Sequence, residues 1–380
     1  MRIAVLNRSF SKTGGGAESY SVALVQALAQ RHEIHVFAQE TDQPVPGVTY
    51  HRVPCISPKP RWLNQWLFAL VTWWKTRSGF DVVHSHENTW HGQIQTIHVR
   101  TVHYNLFHSP GRWRRLRGWI KTFLSPRLLS YVFLEASRFR NSAQRQIVAA
   151  SDQLKNECQT IFPSCKLAGW TTVVPGVTLP EQHPDTDRPR ALLGLPLGVP
   201  LILFVANDYE RKGLDTLLQA LGTLDSDVHL AIVGHTGQRA RYQERVTQMG
   251  LSERVHFLGS LTDMTCAYFS ANVLAHPSRQ DSYGMVVLEA MAHRLPVIVS
   301  SAAYCGIASD LTHSDNAFLL ANPFDASALA QQLSEALAMD AATRRQLQAQ
   351  ALQFARQHSW QAAALKYEAI YQQAVSLAKS

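Results

Sequence analysis

Two acidic residues, Asp281 and Glu289, bracket Gly284 in the run Pro277-Ser-Arg-Gln-Asp-Ser-Tyr-Gly-Met-Val-Val-Leu-Glu-Ala-Met291. An apolar run, Val273 to Ala275, leads in, and a helix is expected to begin near Gly284. The first amides of such a helix, those of Gly284, Met285 and Val286, lack helical partners and sit at its positive dipole end, which suits a phosphate. Asp281 in the loop and Glu289 in the helix can then grip the sugar and the ribose of one ligand. A carboxylate inside the apolar stretch Met285 to Met291 is costly unless paired, so Glu289 is expected either to hold a ligand or to have a structural partner.

Three further groups carry chemistry. Arg211-Lys212-Gly213 follows the apolar run Leu201 to Ala206. Arginine offers a planar fork and lysine a compact charge, and together they can neutralise a diphosphate leaving group; in isolation the motif also reads as a solvated loop. Gly14-Gly15-Gly16-Ala17-Glu18 opens the first helical stretch. Gly15 and Gly16 would let the backbone approach a ligand, although a plain glycine turn has the same look. Histidines stand at 84, 86, 91, 98 and 103. His84-x-His86-Glu87 raises a metal reading, but no third ligand follows at tight spacing. No metal is expected, and these histidines read as strand-end residues lining a site.

The elements that must position these groups alternate. Arg2–Leu6, Ile34–Phe37 and Asp81–His84 read as strands, with a helix over Glu18–Ala29. A long helical pattern covers Arg112–Ala150, and Trp170–Val177 looks extended. The segment Pro180–Pro200, rich in Pro, Asp and Gly, reads as a domain junction. Strands at Leu201–Ala206, Val228–Val233, Val255–Leu258, Val273–Ala275 and Pro296–Ser300 then alternate with helices, and a last helical pattern runs from Trp360 to Ala378. Such alternation implies two parallel, doubly wound sheets. Ligands bind at the carboxyl ends of such strands, so a cleft between two α/β domains is the expected site.

Composition narrows the class. With 380 residues and 46% apolar content, two domains with real cores are expected. Ile3-Ala4-Val5-Leu6 directly after Met1 reads as a strand and not as a signal peptide. The longest apolar stretch, Trp62 to Trp74, is broken by Asn64 and Gln65, and falls short of the roughly 20 residues a spanning helix needs. Cys55, Cys158, Cys165, Cys266 and Cys305 show no CxxC spacing, which fits free thiols in the cytoplasm. The net charge of +8 is concentrated. Between Gly111 and Arg145 stand Arg112, Arg114, Arg115, Arg117, Lys121, Arg127, Arg138, Arg140 and Arg145, opposed by Glu135 alone and mixed with Trp113 and Trp119. That mixture suits an anionic membrane surface or a phosphorylated glycolipid.

Gly15-Gly16-x-Glu18, Arg211-Lys212-Gly213 and Asp281-x7-Glu289-Ala-Met, in this order and spacing, resemble the retaining glycosyltransferases of family 4. Asp81-Val-Val-His-Ser-His, Val174-Pro-Gly-Val and His358-Ser-Trp360 extend the resemblance over nearly the whole chain. Phe204 to Gly213 is similar to bacterial enzymes that add sugars to the lipopolysaccharide core. The resemblance implies the GT-B fold: an acceptor-side Rossmann-like domain over 1–180, a nucleotide-sugar domain over 181–359, and a last helix, about 360–380, crossing back. It implies a UDP-, GDP- or ADP-sugar donor, a glycan or glycolipid acceptor, and no cofactor or metal. By the same resemblance Arg211 and Lys212 contact the diphosphate, with Gly15 and Gly16 approaching it. Glu289 holds the ribose, Asp281 touches the sugar, and His98, or else His103, stands near that sugar. Asp281 departs from the family's usual Glu; one methylene shorter, it is expected to draw the sugar closer or reach it through water. The expected location is the cytoplasm, peripheral on the inner face of the membrane.

Other classes fit less well. A nicotinamide-dependent oxidoreductase needs GxGxxG straight after the first strand, which is missing. No nucleic-acid-binding signature accompanies the basic segment, so no nucleic-acid partner is expected. A sugar-nucleotide epimerase on the same fold remains the alternative.

Overall fold

The computed structural model describes residues 1–11, 16–42, 44–56, 59–108, 112–181, 186–234 and 237–379, without the side chains of residues 17, 112, 114, 115 and 379. The chain forms two compact units, Met1–Gly176 with Trp360–Ser380, and Val177–Ser359. The two crossings lie side by side, because the Val177 amide donates to the His358 carbonyl and Val177 bridges Ser359.

The first unit is built on a seven-stranded sheet, ordered Val48–Arg52, Glu33–Ala38, Arg2–Leu6, Val82–Ser85, Ile94–Ile97, Gln146–Ala149, Gly169–Thr172. Its neighbours all pair in parallel. Strands buried on both faces lose the polar alternation of a half-exposed sheet. Val82–Ser85 and Ile94–Ile97 are buried at every position, and polar Ser85, Gln95 and Thr96 lie inside. The helix Gly16–Leu28 and the last helix Trp360–Lys379 pack against each other on this unit.

The second unit carries a six-stranded parallel sheet, ordered Val255–Gly259, His229–Val233, Leu201–Val205, Val273–His276, Val297–Ser300, Phe318–Leu320. The order in which successive strands are added reverses between the parallel neighbours Leu201–Val205 and Val273–His276. That switch point is where doubly wound sheets receive ligands.

Two sequence expectations need correction. The stretch Arg112–Ala150 is not one helical region. Ser125 caps a new helix, Pro126–Arg138, by accepting from the Leu128 amide, with proline at its first turn; Gln146–Ala149 is then a fully buried strand, next to the edge of the sheet. Four residues with no exposed face give no period by which to recognise a strand. Nor is Pro180–Pro200 merely a junction. It contains the helix Asp187–Leu193, whose Arg190 is buried and donates to the carbonyls of Ser270 and Val199 and to Asn272 Oδ1. A guanidinium so satisfied ties the segment into the second unit.

Candidate active site

The loops at the second unit's switch point are stitched together by glycine. Gly213, at φ 82°, opens the helix Leu214–Leu221. A Cβ there would stand 2.0 Å from the Pro277 carbonyl oxygen, so only glycine allows the two loops to touch. The contact continues through the Arg279 amide, which donates to the Arg211 carbonyl at 2.9 Å. Arg211 donates to the Gln280 carbonyl at 3.0 Å and to Asp208 at 3.0 Å, and its half-exposed guanidinium keeps donors in reserve.

Lys212 lies deeper and donates to Asp281 Oδ2, which His276 Nε2 also meets at 3.0 Å. Burial opposes ionisation of Asp281, yet Lys212 and the His276 hydrogen bond outweigh it and hold the carboxyl well below its ordinary range. His276, at the end of its strand and fully buried, is pushed down by burial first, against the pull of Asp281. Among the described residues Asp281 Oδ1 has one weak partner, the Tyr283 amide at 3.4 Å. The Asp281 backbone is pinned as well: its amide donates to Tyr304 and its carbonyl accepts from Gly306.

Gly284, at φ 99°, caps the helix Met285–Ala292. A Cβ there would meet Cys305 Sγ at 2.8 Å. The amides of Gly284, Met285 and Val286 enter no hydrogen bond among the described residues, which leaves three donors at the helix N-terminus. Glu289 is engaged by the Tyr268 hydroxyl. Burial pushes its carboxyl above the ordinary value, against that hydrogen bond. A buried tyrosine needs an acceptor, the one sign in the sequence that could have found this pair.

His276, Asp281 and Cys305 form a group of metal-type ligand atoms within 4.8 Å of one another. Their chemistry does not suit a cation. The carboxylate already carries the Lys212 ammonium, and burial drives the Cys305 thiol well up while it donates to the Tyr283 carbonyl at 3.3 Å.

In the first unit the strand ends gather a second cluster. His84 sets Nδ1 2.8 Å from the Tyr371 hydroxyl and Nε2 2.7 Å from that of Thr96. Thr96 continues to Tyr367 at 2.9 Å, and Tyr367 to Tyr20 at 3.0 Å. His86 Nδ1 and His98 Nε2 lie 2.8 Å apart. Burial holds His84 and His98 down to about 3, so both rings are neutral. His103 stands elsewhere, on the helix Val102–Phe107, its ring against Phe107 and Phe162; the strand-end cluster contains His98 and not His103. Gly15 lies outside the described residues, and Gly16 is exposed at the start of its helix.

The basic segment divides. Arg138 is buried and donates to Gln95, Asn88 and the Thr96 carbonyl; Arg145 donates to the carbonyls of Ser137, Arg138 and Trp90. These two belong to the fold and leave the surface charge. Glu135 accepts from the amides of Val102 and His103. On the helix Arg112–Phe123 and just beyond it, Trp113 (80% exposed), Phe123 (68%) and Leu124 (79%) stand out with Arg117, Lys121 and Arg127.

Sequence models of two families match the chain: "Glycosyltransferase Family 4" over 14–174 and "Glycosyl transferases group 1" over 185–354. A D-inositol 3-phosphate glycosyltransferase of Xylanimonas cellulosilytica is 30% identical over 95% of this chain and 92% of its own length. The lipopolysaccharide glucosyltransferase WaaG of Escherichia coli is 26% identical, over 56% of this chain and 59% of its own. Like WaaG, several curated relatives match over only about half of their length, as at 51% for an inositol-phosphate enzyme of Corynebacterium diphtheriae. Among solved structures, WaaG superposes with a TM-score of 0.80 at 20% identity, covering 97% of this chain and 99% of that one. A sucrose-phosphate synthase of Thermosynechococcus elongatus gives 0.78 at 24%, covering all of both chains.

Proposed function

Since the chain belongs to the family 4, group 1 glycosyltransferases and has their fold of two Rossmann-like domains, we propose that it moves a sugar, with retention, from a nucleotide-diphosphate sugar to a glycan or glycolipid acceptor of cell-surface polysaccharide or lipopolysaccharide synthesis. One observation carries the reading: at a switch point, Arg211 and Lys212 bond to Gln280 and Asp281, in the loop that leads directly into the open amides of Gly284, Met285 and Val286. Cations and helix amides at a strand end are what a departing diphosphate needs.

The roles follow. Arg211, Lys212 and the helix amides take up charge growing on the leaving phosphate, whose oxygen receives the acceptor proton in a front-side displacement. No metal takes part, since two cations stand where one would act. Glu289 grips the ribose and Asp281 offers Oδ1 to the sugar, and by the family resemblance His98 also meets that sugar. WaaG is named for glucosyl transfer in lipopolysaccharide synthesis, and a solved relative was crystallised with UDP and glucose, which favours a UDP-sugar first.

A ligand that binds only the folded state raises Tm, and more so the tighter it binds. UDP, GDP, ADP and their sugars should therefore divide into one stabilising set and two inert ones. The Arg211→Ala chain should lose that shift. Equal inertness of all of them would end the reading, as would loss of turnover in chelator for the metal-free step.

The same proposal places the protein on a membrane surface. No helix among the described residues is long and apolar enough to cross a bilayer. Trp113, Phe123 and Leu124 beside Arg117, Lys121 and Arg127 instead suit the boundary of an anionic leaflet. Vesicles containing phosphatidylglycerol should float the chain at low salt, and Trp113→Ser with Phe123→Ser should abolish this. Flotation unchanged by that pair would dismiss the surface.

A further inference from the structure

His86 and His98 present a question of proton placement that the geometry answers. Their rings lie nearly parallel, at 7°, with Nδ1 of His86 2.8 Å from Nε2 of His98. A neutral imidazole has one N–H and one bare nitrogen, so one ring donates across this contact and the other accepts. The surroundings favour two neutral rings: His98 is held near 3 by burial and by Arg138, and His86 is pushed down by burial, His84, His98 and Arg138.

The far nitrogen of His86 decides the direction. Nε2 is buried and has no hydrogen-bond partner among the described residues. If His98 donated, His86 would carry its proton on Nε2, leaving a buried N–H with no acceptor. If His86 donates, Nε2 is a bare acceptor. Orphaned buried N–H groups are rarer than orphaned acceptors, because each costs a lost hydrogen bond. The proton therefore lies on His86 Nδ1. His98 accepts at Nε2 and carries its own proton on Nδ1, a nitrogen that no described group engages. The edge of Tyr20, with ring centres 4.6 Å apart, fixes the His98 ring from the side.

We infer that His86 is a positioning residue: by donating to Nε2 it locks His98 as the Nδ1–H tautomer, so that His98 offers an N–H donor to a sugar oxygen. The second half of this rests on the proposed function, and the first half does not. A free histidine side chain prefers its proton on Nε2, so the locked form leaves a distinct signature.

Nitrogen-15 NMR of the full chain labelled at histidine reads the tautomer directly, with the His98 signals assigned by their loss in His98→Gln. The wild type should show His98 as Nδ1–H at pH 7.5 (about one unit above the ordinary histidine value). His86→Ala should return it toward Nε2–H, and His86→Asn, whose amide donates from nearly the same place, should restore Nδ1–H. A wild-type spectrum showing Nε2–H, or a tautomer that His86→Ala leaves untouched, overturns the lock. The sugar half has its own readout. Whichever of UDP-glucose, GDP-mannose and ADP-glucose raises Tm most should, at saturation, shift the His98 Nδ1–H resonance. An unmoved resonance removes the sugar contact while leaving the lock standing.

Discussion

Asp281 and Lys212 form a largely buried ion pair, with side-chain exposures of 18% and 12%, while Arg211, at 46%, meets water. The two cations should therefore fail differently. Lys212→Ala leaves a largely buried carboxylate with the His276 ring and the weak Tyr283 amide contact as partners, and breaking a buried pair costs about 3–5 kcal/mol, the lower end suiting a site this near the surface. Arg211→Ala breaks an exposed pair worth about 0–1 kcal/mol. Each should lower kcat about a hundredfold, as loss of one transition-state stabiliser does. Calorimetry should show Tm falling for Lys212→Ala alone. Equal stability of both chains would mean that the pair is not formed. The sequence showed the acids and the cations, since spacing carries them. It did not show that Asp281 belongs partly to Lys212 and His276, nor that Tyr268 awaits Glu289. Those are meetings between distant segments, and no local period records them.

Elements hold the site through close backbone approach. Gly213→Ala puts a Cβ 2.0 Å from the Pro277 carbonyl oxygen at a φ of 82°. The left-handed backbone alone costs about 1–2 kcal/mol for a residue with a Cβ, and the clash must move one loop off the other. The expected result is a fall in Tm of the second unit of several degrees, at about 2–4 °C per kcal/mol for this size, with weaker binding of the stabilising nucleotide. Gly222→Ala is the control, since its nearest neighbour would be 3.5 Å away at an ordinary helical φ of −63°. If both behave alike, the loop contact does not matter. Element type was legible where the apolar period was long, as for Trp360–Lys379. It failed at Gln146–Ala149, where burial on every side erases alternation. It also failed at Pro180–Pro200, where linker-like composition concealed the buried Arg190.

At the scale of the whole molecule, the two units differ in what acid does to them. The first holds His84 and His98 near 3 and His91 near 4, with His86 well below its ordinary value, each chiefly through burial. An unfolded histidine binds its proton near 6.5. Between that value and the folded ones the unfolded chain carries more protons, so stability is full above about 6.5 and is lost as pH falls. Each such histidine contributes up to about 1.4 kcal/mol per pH unit, and four titrating together about 5.5 over a single pH unit. That is comparable to the whole stability of a domain, about 5–15 kcal/mol. In the second unit burial likewise lowers His229, His256 and His276, but the first two are less enclosed, and Asp281 loses its contribution only as pH falls below the ordinary carboxylate value of 3.8. The first unit should therefore unfold at higher pH than the second. All nine tryptophans, Trp62, Trp66, Trp73, Trp74, Trp90, Trp113, Trp119, Trp170 and Trp360, belong to the first unit. Tryptophan fluorescence thus follows that unit alone, whereas far-ultraviolet circular dichroism sums both. On titration from pH 7 to 3 the fluorescence transition should come first, with helical signal persisting beyond it. Coincident transitions would show that the strand-end histidines do not set the acid limit of the fold.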